Sequence, residues 1–165
     1  MYDFKPDPGL DTAERYRQLS DAADALTAGE PDPVANMANV AALIWEFLPG
    51  LNWAGFYRMG KSASGADELV LGPFVGRPAC IRIPLGQGVC GVAASTRETQ
   101  LVEDVHAFPG HIACDAASRS ELVVPVVRDG ETIAVIDLDS PEPARFTNKD
   151  ASGLEKLARL LSARI

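Results

Sequence analysis

The chain is poor in the residue types that most often declare a function by themselves. It holds 2 histidines, 3 cysteines and 15 Lys+Arg among 165 residues. None of the cysteines stand in the short C-x₂₋₄-C spacing of structural zinc sites, so a thiol-built metal framework is not expected. Three thiols cannot all pair within one chain, and a domain of this length needs no disulfide staple to fold. Basic residues are outnumbered by 23 Asp+Glu, giving a net charge of −8. That balance excludes a protein that tracks nucleic-acid phosphates and disfavours anionic membrane surfaces. No apolar run approaches the roughly 18 uninterrupted residues of a membrane span. The opening segment MYDFKPDPGLDTAERYRQ lacks the basic and apolar regions of a secretory signal. The expected address is therefore cytoplasmic, where cysteines rest as thiols.

What is present fits one ordinary globular domain, with 47% hydrophobic and 23% charged residues and no internal repeat. Residues 1–10, marked by Pro6, Pro8 and Gly9, read as a loose segment before a single domain over 11–165. Tyr16, Leu19, Ala23 and Leu26 recur at helical spacing until Gly29 and Pro31 end the run. Asp32 then suits an N-cap and Pro33 the first helical turn, with Val34, Met37, Ala38, Ala41, Trp45 and Leu48 forming an apolar stripe. Strands are predicted over 51–59, 68–74 and 79–83 as an antiparallel meander. A short Ala-rich helix is expected over 86–96, followed by a brief strand over 99–102. Residues 103–119 show neither period and exceed an ordinary connection, which marks a functional loop. Segments 121–127 and 131–139 flank Asp129-Gly130, a strong hairpin signal, with Pro125 at an edge or bulge. Thr147 and Asp150 then form a capping box for a final amphipathic helix. The fold class is α+β, about six mostly antiparallel strands flanked by helices from both ends of the chain.

Chemistry begins with the thiols. Cys80 alternates with Ile81 and Ile83 and reads as a small buried hydrophobe. Cys90, in GQGVCGV, sits near a helix start, whose exposed N–H groups and dipole favour a thiolate. Cys114 lies in the irregular loop beside Asp115 and three residues after His111, where access is expected. Lowered pKa thus favours Cys90 as a nucleophile and exposure favours Cys114. His106, His111 and Cys114, completed by Cys80 or Cys90, make a weak metal set, and a Cys-His hydrolase lacks a recognisable signature. No metal is expected.

Asp is depleted in strands, yet Asp137 and Asp139 alternate with Ile136 and Leu138 and so share a face. Hairpin pairing would bring Glu121 to the same patch. A solvated outer face is the bland explanation; the functional one is a carboxylate pocket that binds an ammonium group or donates a proton. Trp53 and Tyr57, four apart in NWAGFY, share a strand face, as core aromatics or as the wall of a small-ligand site.

The strings NWAGFY, LGPF-x-G-x-PAC-x-RIP, G-x-GVCG-x-A, ETQLVEDVHAFPGHIACD-x-ASRSE-x-VVP and I-D-x-D-S closely resemble the GAF-domain free methionine-(R)-sulfoxide reductases, over residues 33–162. The resemblance implies a GAF-like domain and reduction of free L-methionine-(R)-S-oxide to methionine without a metal or organic cofactor. It implies Cys114 as nucleophile, Cys80 as resolving thiol and Cys90 as a third thiol also considered for disulfides. Glu121, Asp137 and Asp139 match the family's pocket carboxylates, and Trp53 with Tyr57 would hold the methyl group. Thioredoxin is the implied reductant. Dimers in the family make the first helix a candidate contact between copies. The rival expectation is a non-catalytic GAF sensor module, which would need an attached output domain and has no use for three thiols so placed.

Overall fold

The structure, a computed structural model, describes residues 4–110 and 115–165. Its centre is a six-stranded sheet in the order β3-β2-β1-β6-β5-β4, antiparallel at every pairing. The strands are β1 Trp53–Lys61, β2 Asp67–Gly76, β3 Arg82–Pro84, β4 Gln100–Val102, β5 Ser120–Arg128 and β6 Glu131–Ser140. The meander expected from the first three strands is present, and β6 closes onto β1 to join it to the β5–β6 hairpin.

Helices α1 (Thr12–Thr27), α2 (Pro33–Phe47) and α4 (Asn148–Leu161) cover one face, and α3 (Gly88–Thr96) covers the other. Alternation along each strand therefore sorts side chains into two cores. Ala54, Phe56, Leu122, Val124, Ile136 and Leu138 face the three helices. Trp53, Tyr57, Val123 and Val135 face α3, together with Val89, Cys90 and Ala93 from that helix. Both faces are buried, so an acidic residue on the α3 side is taken out of water instead of decorating a surface.

Local signals explain the element ends. Asp11 accepts from the Glu14 N–H at 2.9 Å and Asp32 from Val34 and Ala35 at 2.8 and 2.9 Å. At α4, Thr147 and Asp150 complete the capping box in both directions, an arrangement that stabilises a helix start by about 1 kcal/mol. Asp129 and Gly130 both adopt positive φ, 53° and 80°, as a two-residue hairpin of this handedness requires. Pro125 pairs with Val135, lies beyond the reach of β4 on the outer edge, and is followed by a register shift between Val126 and Val127.

Two expectations need correction, and one alternative falls away. The α2 stripe is rotated: Val34, Ala38 and Trp45 are exposed, while Met37, Val40, Ala41, Leu43, Ile44 and Phe47 are buried. The run AALIW is apolar on most of the helix circumference, so its stripe had no unique centre. The third strand begins at Arg82, which leaves Cys80 ahead of it and Ile81 exposed. Finally, Asp137 and Glu121 are each 6% exposed, which removes the solvated-face explanation for them. Residues 4–10 carry no helix or strand, but Phe4 packs on the larger core and Asp7 hydrogen-bonds Gln18. Among the described residues no helix is long and apolar enough to cross a membrane.

Candidate functional site

Register places the predicted residues in rows across the α3 face of the sheet. Trp53 pairs with Asp139, and Asp139 with Glu121; one row further, Gly55 pairs with Asp137 and Asp137 with Val123. Directly opposed residues of an antiparallel pair project to the same side. One aromatic and two acids thus line up across three strands, with the third acid two residues along β6. Tyr57 continues the aromatic side of the patch.

Above this floor, Pro78, Ala79, Ile83, Gly88, Val89 and Cys90 close a pocket of about 540 Å³, open mouth included. Asp115 and Ser118 complete the rim. The helix can lie this low because Gly91 has no side chain, a Cβ there falling 2.4 Å from the Pro84 carbonyl oxygen. Gly55 does the same for the aromatic wall, since its Cβ would stand 2.4 Å from that of Phe74. Trp53 is consequently stacked with both neighbours, its ring 5.2 Å from Phe74 and 5.8 Å from Tyr57 with near-parallel planes, and its indole N–H donates to the Arg77 carbonyl at 3.2 Å.

Electrostatics at the floor follow from burial. Among the described residues no Lys or Arg lines the pocket. Burial, then the Asp137 and Asp139 charges, holds Glu121 well above the usual carboxylate range. Burial and the Asp137 charge do the same for Asp139, against a hydrogen bond with Ser118. Asp137 is raised to about 7 by burial, restrained by hydrogen bonds with Cys90 and Glu121. Its Oδ1 is buried and has no partner. Burial thus favours the neutral form of all three acids, and among them hydrogen bonds favour the charged form of Asp137.

The thiols divide sharply. Cys90 is buried, free and the third residue of α3, as its sequence context suggested. Its pKa is nevertheless pushed up, by burial first and then by Asp137 and Glu121, which outweighs the helix-terminus effect expected to lower it. Cys80 is disulfide-bonded and packs beside Ala79 against the same core as the pocket. Cys114 and His111 lie outside the described residues. His106 sits exposed on a 3₁₀ turn over Val105–Ala107. Among the described residues the one cluster with donors close enough to share a metal is Cys90, Glu121 and Asp137, a set different from the one the sequence offered.

Sequence reasoning missed Asn52, Asp115 and Ser118. The Asn52 amide donates to Asp115 Oδ2 at 3.2 Å and to Ser118 Oγ at 3.0 Å, tying the loop after residue 114 to the start of β1. The signal was available: Asn52 opens the quoted NWAGFY string, and Asp115 follows Cys114 directly.

Comparison with known proteins places this geometry. The GAF domain profile matches residues 32–165. The free methionine-R-sulfoxide reductase of Escherichia coli is 48% identical over 152 residues, covering 92% of this chain and 89% of its own. Its namesake in Saccharomyces cerevisiae is 46% identical over 158 residues, covering 93% and 87%. The crystal structure of free methionine-R-sulfoxide reductase from Neisseria meningitidis in complex with its substrate superposes with a TM-score of 0.91 at 44% identity, covering 99% of this chain and 95% of that one.

Proposed function

The chain belongs to the GAF-domain family, among its free methionine-(R)-sulfoxide reductases, and we propose that it reduces free L-methionine-(R)-S-oxide by a two-thiol cycle in which Cys114 attacks and Cys80 resolves. The observation that carries the reading is the floor of clustered carboxyls, whose neutral forms burial favours, facing a stacked aromatic wall. A zwitterionic amino acid with a sulfoxide side chain needs each of those features.

In the proposed step the Cys114 thiolate attacks the sulfoxide sulfur. The oxygen takes a proton as the S–O bond breaks, since expelling it without one is prohibitive. Glu121 and Asp139, whose neutral forms burial favours, are the donors for that oxygen. The protonated oxygen passes from the methionine sulfur to the Cys114 sulfur as the S–S bond made by the attack breaks, so methionine leaves and Cys114 is left as a sulfenic acid. Cys80 then attacks the sulfenic sulfur, water departs and a disulfide forms, so two thiols supply the two electrons. Support for Cys80 as the resolving thiol comes from its being disulfide-bonded while Cys90 remains free. A dithiol of the thioredoxin type would return the pair to thiols.

Asp137 has the remaining role. Its unpartnered Oδ1 is an acceptor waiting for a donor, and the substrate ammonium supplies one in charge-assisted form. A methionine sulfoxide residue inside a peptide has no such ammonium, which accounts for preference for the free amino acid. Trp53, held by stacking with Phe74 and Tyr57, gives the pocket a rigid aromatic wall for the methyl group. We place α1 as the contact in a homodimer, to be checked by sedimentation.

The test is turnover: the protein with free methionine-(R)-sulfoxide and either dithiothreitol or a thioredoxin system, with methionine measured. The R form should be consumed, and the S form and N-acetylated sulfoxide should not. Saturable binding of the R form without turnover would overturn the reading in favour of a sensor module.

A further inference from the structure

A cycle of two thiols leaves Cys90 with nothing to do, yet the fold works to place it. Gly88 adopts a positive φ of 62°, a left-handed backbone that glycine alone takes without strain. Gly91, one residue after the thiol, brings α3 against the backbone of Pro84, and its own carbonyl accepts from the Gly86 N–H at 2.8 Å. The effect is to press the third residue of the helix onto the acids. Cys90 Sγ and one carboxylate oxygen each of Glu121 and Asp137 lie within 4.8 Å of one another, all buried. A thiol that served only as a hydrophobe would be expected among aliphatic side chains, away from two carboxyls.

We propose that Cys90 is a positioning residue that exchanges no electrons: its thiol proton is donated to Asp137 from the helix side and fixes Asp137 as the charged member of the carboxyl trio. Three acids crowded on one floor resist ionising together, and with no cation among the described lining residues the donors to Asp137 are neutral groups. Glu121 on β5 supplies one O–H and Cys90 on α3 supplies an S–H. Asp139 on β6 is occupied with Ser118, and Tyr57 on β1 keeps its proton because of burial and the Asp137 charge. Asp115 on the rim is turned to Asn52 and Arg77. When the ammonium binds Asp137 it takes over from Glu121, whose O–H is then free for the sulfoxide oxygen, while the Cys90 S–H stays on Asp137 and holds the negative charge there. Without the S–H, charge would spread to Glu121 and remove a proton from the place that needs it. The inference rests on the pocket roles given above, but its structural half can be measured without catalysis.

Infrared spectroscopy reads that half. In the form with Cys80 and Cys114 joined, Cys90 carries the one remaining S–H, whose stretch lies in a window free of other protein bands. The wild-type band should sit at the low frequency of a hydrogen-bonded thiol and move lower as pH is raised from 5 to 8. In Asp137→Asn it should sit higher and ignore pH. A band at the free-thiol frequency, unmoved by pH or by Asp137→Asn, overturns the proposal whether or not the protein reduces the sulfoxide. Kinetics read the other half. Cys90→Ala should still release one methionine per chain in a single turnover, with kcat/KM down about tenfold, mostly through KM, and the acid limb of its pH profile moved upward. Cys90→Ser, which restores a donor, should recover most of that loss. Wild-type KM and pH profile in Cys90→Ala, or loss of the first equivalent in Cys90→Ser, contradicts a positioning role. Failure of the wild-type protein to turn over would instead strike the function itself, and the infrared result would still decide the contact.

Discussion

Replacing Asp137 by asparagine should make the protein more stable and less active. Burial raises this carboxyl from its ordinary value of 3.8 to about 7, so between those values the folded chain binds a proton that the unfolded chain has lost. Stability then falls as pH rises through this window. At 1.36 kcal/mol per pH unit, the two units between pH 5 and 7 amount to about 3 kcal/mol of stability lost through this one group. Asparagine keeps the shape and an acceptor for Cys90 and Glu121 but cannot ionise, so its contribution to the slope vanishes. About 3 kcal/mol is an upper limit on the difference, because the Asp137 charge also helps to raise Glu121 and Asp139, which ionise more readily once it is gone. Urea unfolding of both proteins at pH 5 and pH 7.5, with m-values compared to confirm a common unfolded state, gives the number. The same substitution should cost about 10–100-fold in kcat/KM for the sulfoxide, the value of a hydrogen bond to a charged group. If the asparagine protein loses as much stability as wild type over this range, or if wild type gains stability as pH rises, the burial argument for the trio is wrong.

Other substitutions probe the walls. Trp53→Leu removes stacks on Phe74 and Tyr57 at 5.2 and 5.8 Å, each worth about 0.5–1.5 kcal/mol; thermal melts should show a loss of ~1–3 kcal/mol, and steady-state kinetics a higher KM for sulfoxide. Gly55→Ala would place a Cβ 2.4 Å from the Phe74 Cβ and 2.8 Å from the Pro73 carbonyl oxygen. Prying β2 from β1 should cost about 1–3 kcal/mol in chemical unfolding and raise KM by displacing the Phe74 ring stacked on Trp53. Asp150→Ala removes the N3 half of the α4 capping box and the partner of the buried Tyr16 hydroxyl, about 2–4 kcal/mol together. Because it lies among the helices on the far side of the sheet, its kcat/KM should equal that of wild type at temperatures where the variant is folded.

Much of this architecture was legible because local chemistry and global arrangement agree. Asp32-Pro33, Asp129-Gly130 and Thr147…Asp150 each mark an element end that the fold uses. The same-face placement of Asp137 and Asp139 followed from period two, and the hairpin turn then fixed Glu121 opposite Asp139. Burial was not legible. Whether the acid-bearing face met water or a helix depended on α3 packing across β5 and β6, a long-range contact that strand alternation cannot encode. The Cys90 misjudgement has the same origin: helix position was readable from GQGVCGV, but the carboxyls beneath it belong to strands more than thirty residues away. Asn52 was overlooked because a polar residue before a strand is ordinary, and only its two loop partners give it meaning.

The proposed chemistry stands on a count made in the absence of reductant. Fully reduced protein mixed with excess free methionine-(R)-sulfoxide should form one methionine per chain and lose two of its three thiols. Under the same conditions Cys80→Ser should still form one methionine, and Cys114→Ser should form none. Methionine from Cys114→Ser, or a wild-type burst with no loss of thiols, would contradict the cycle at its first step.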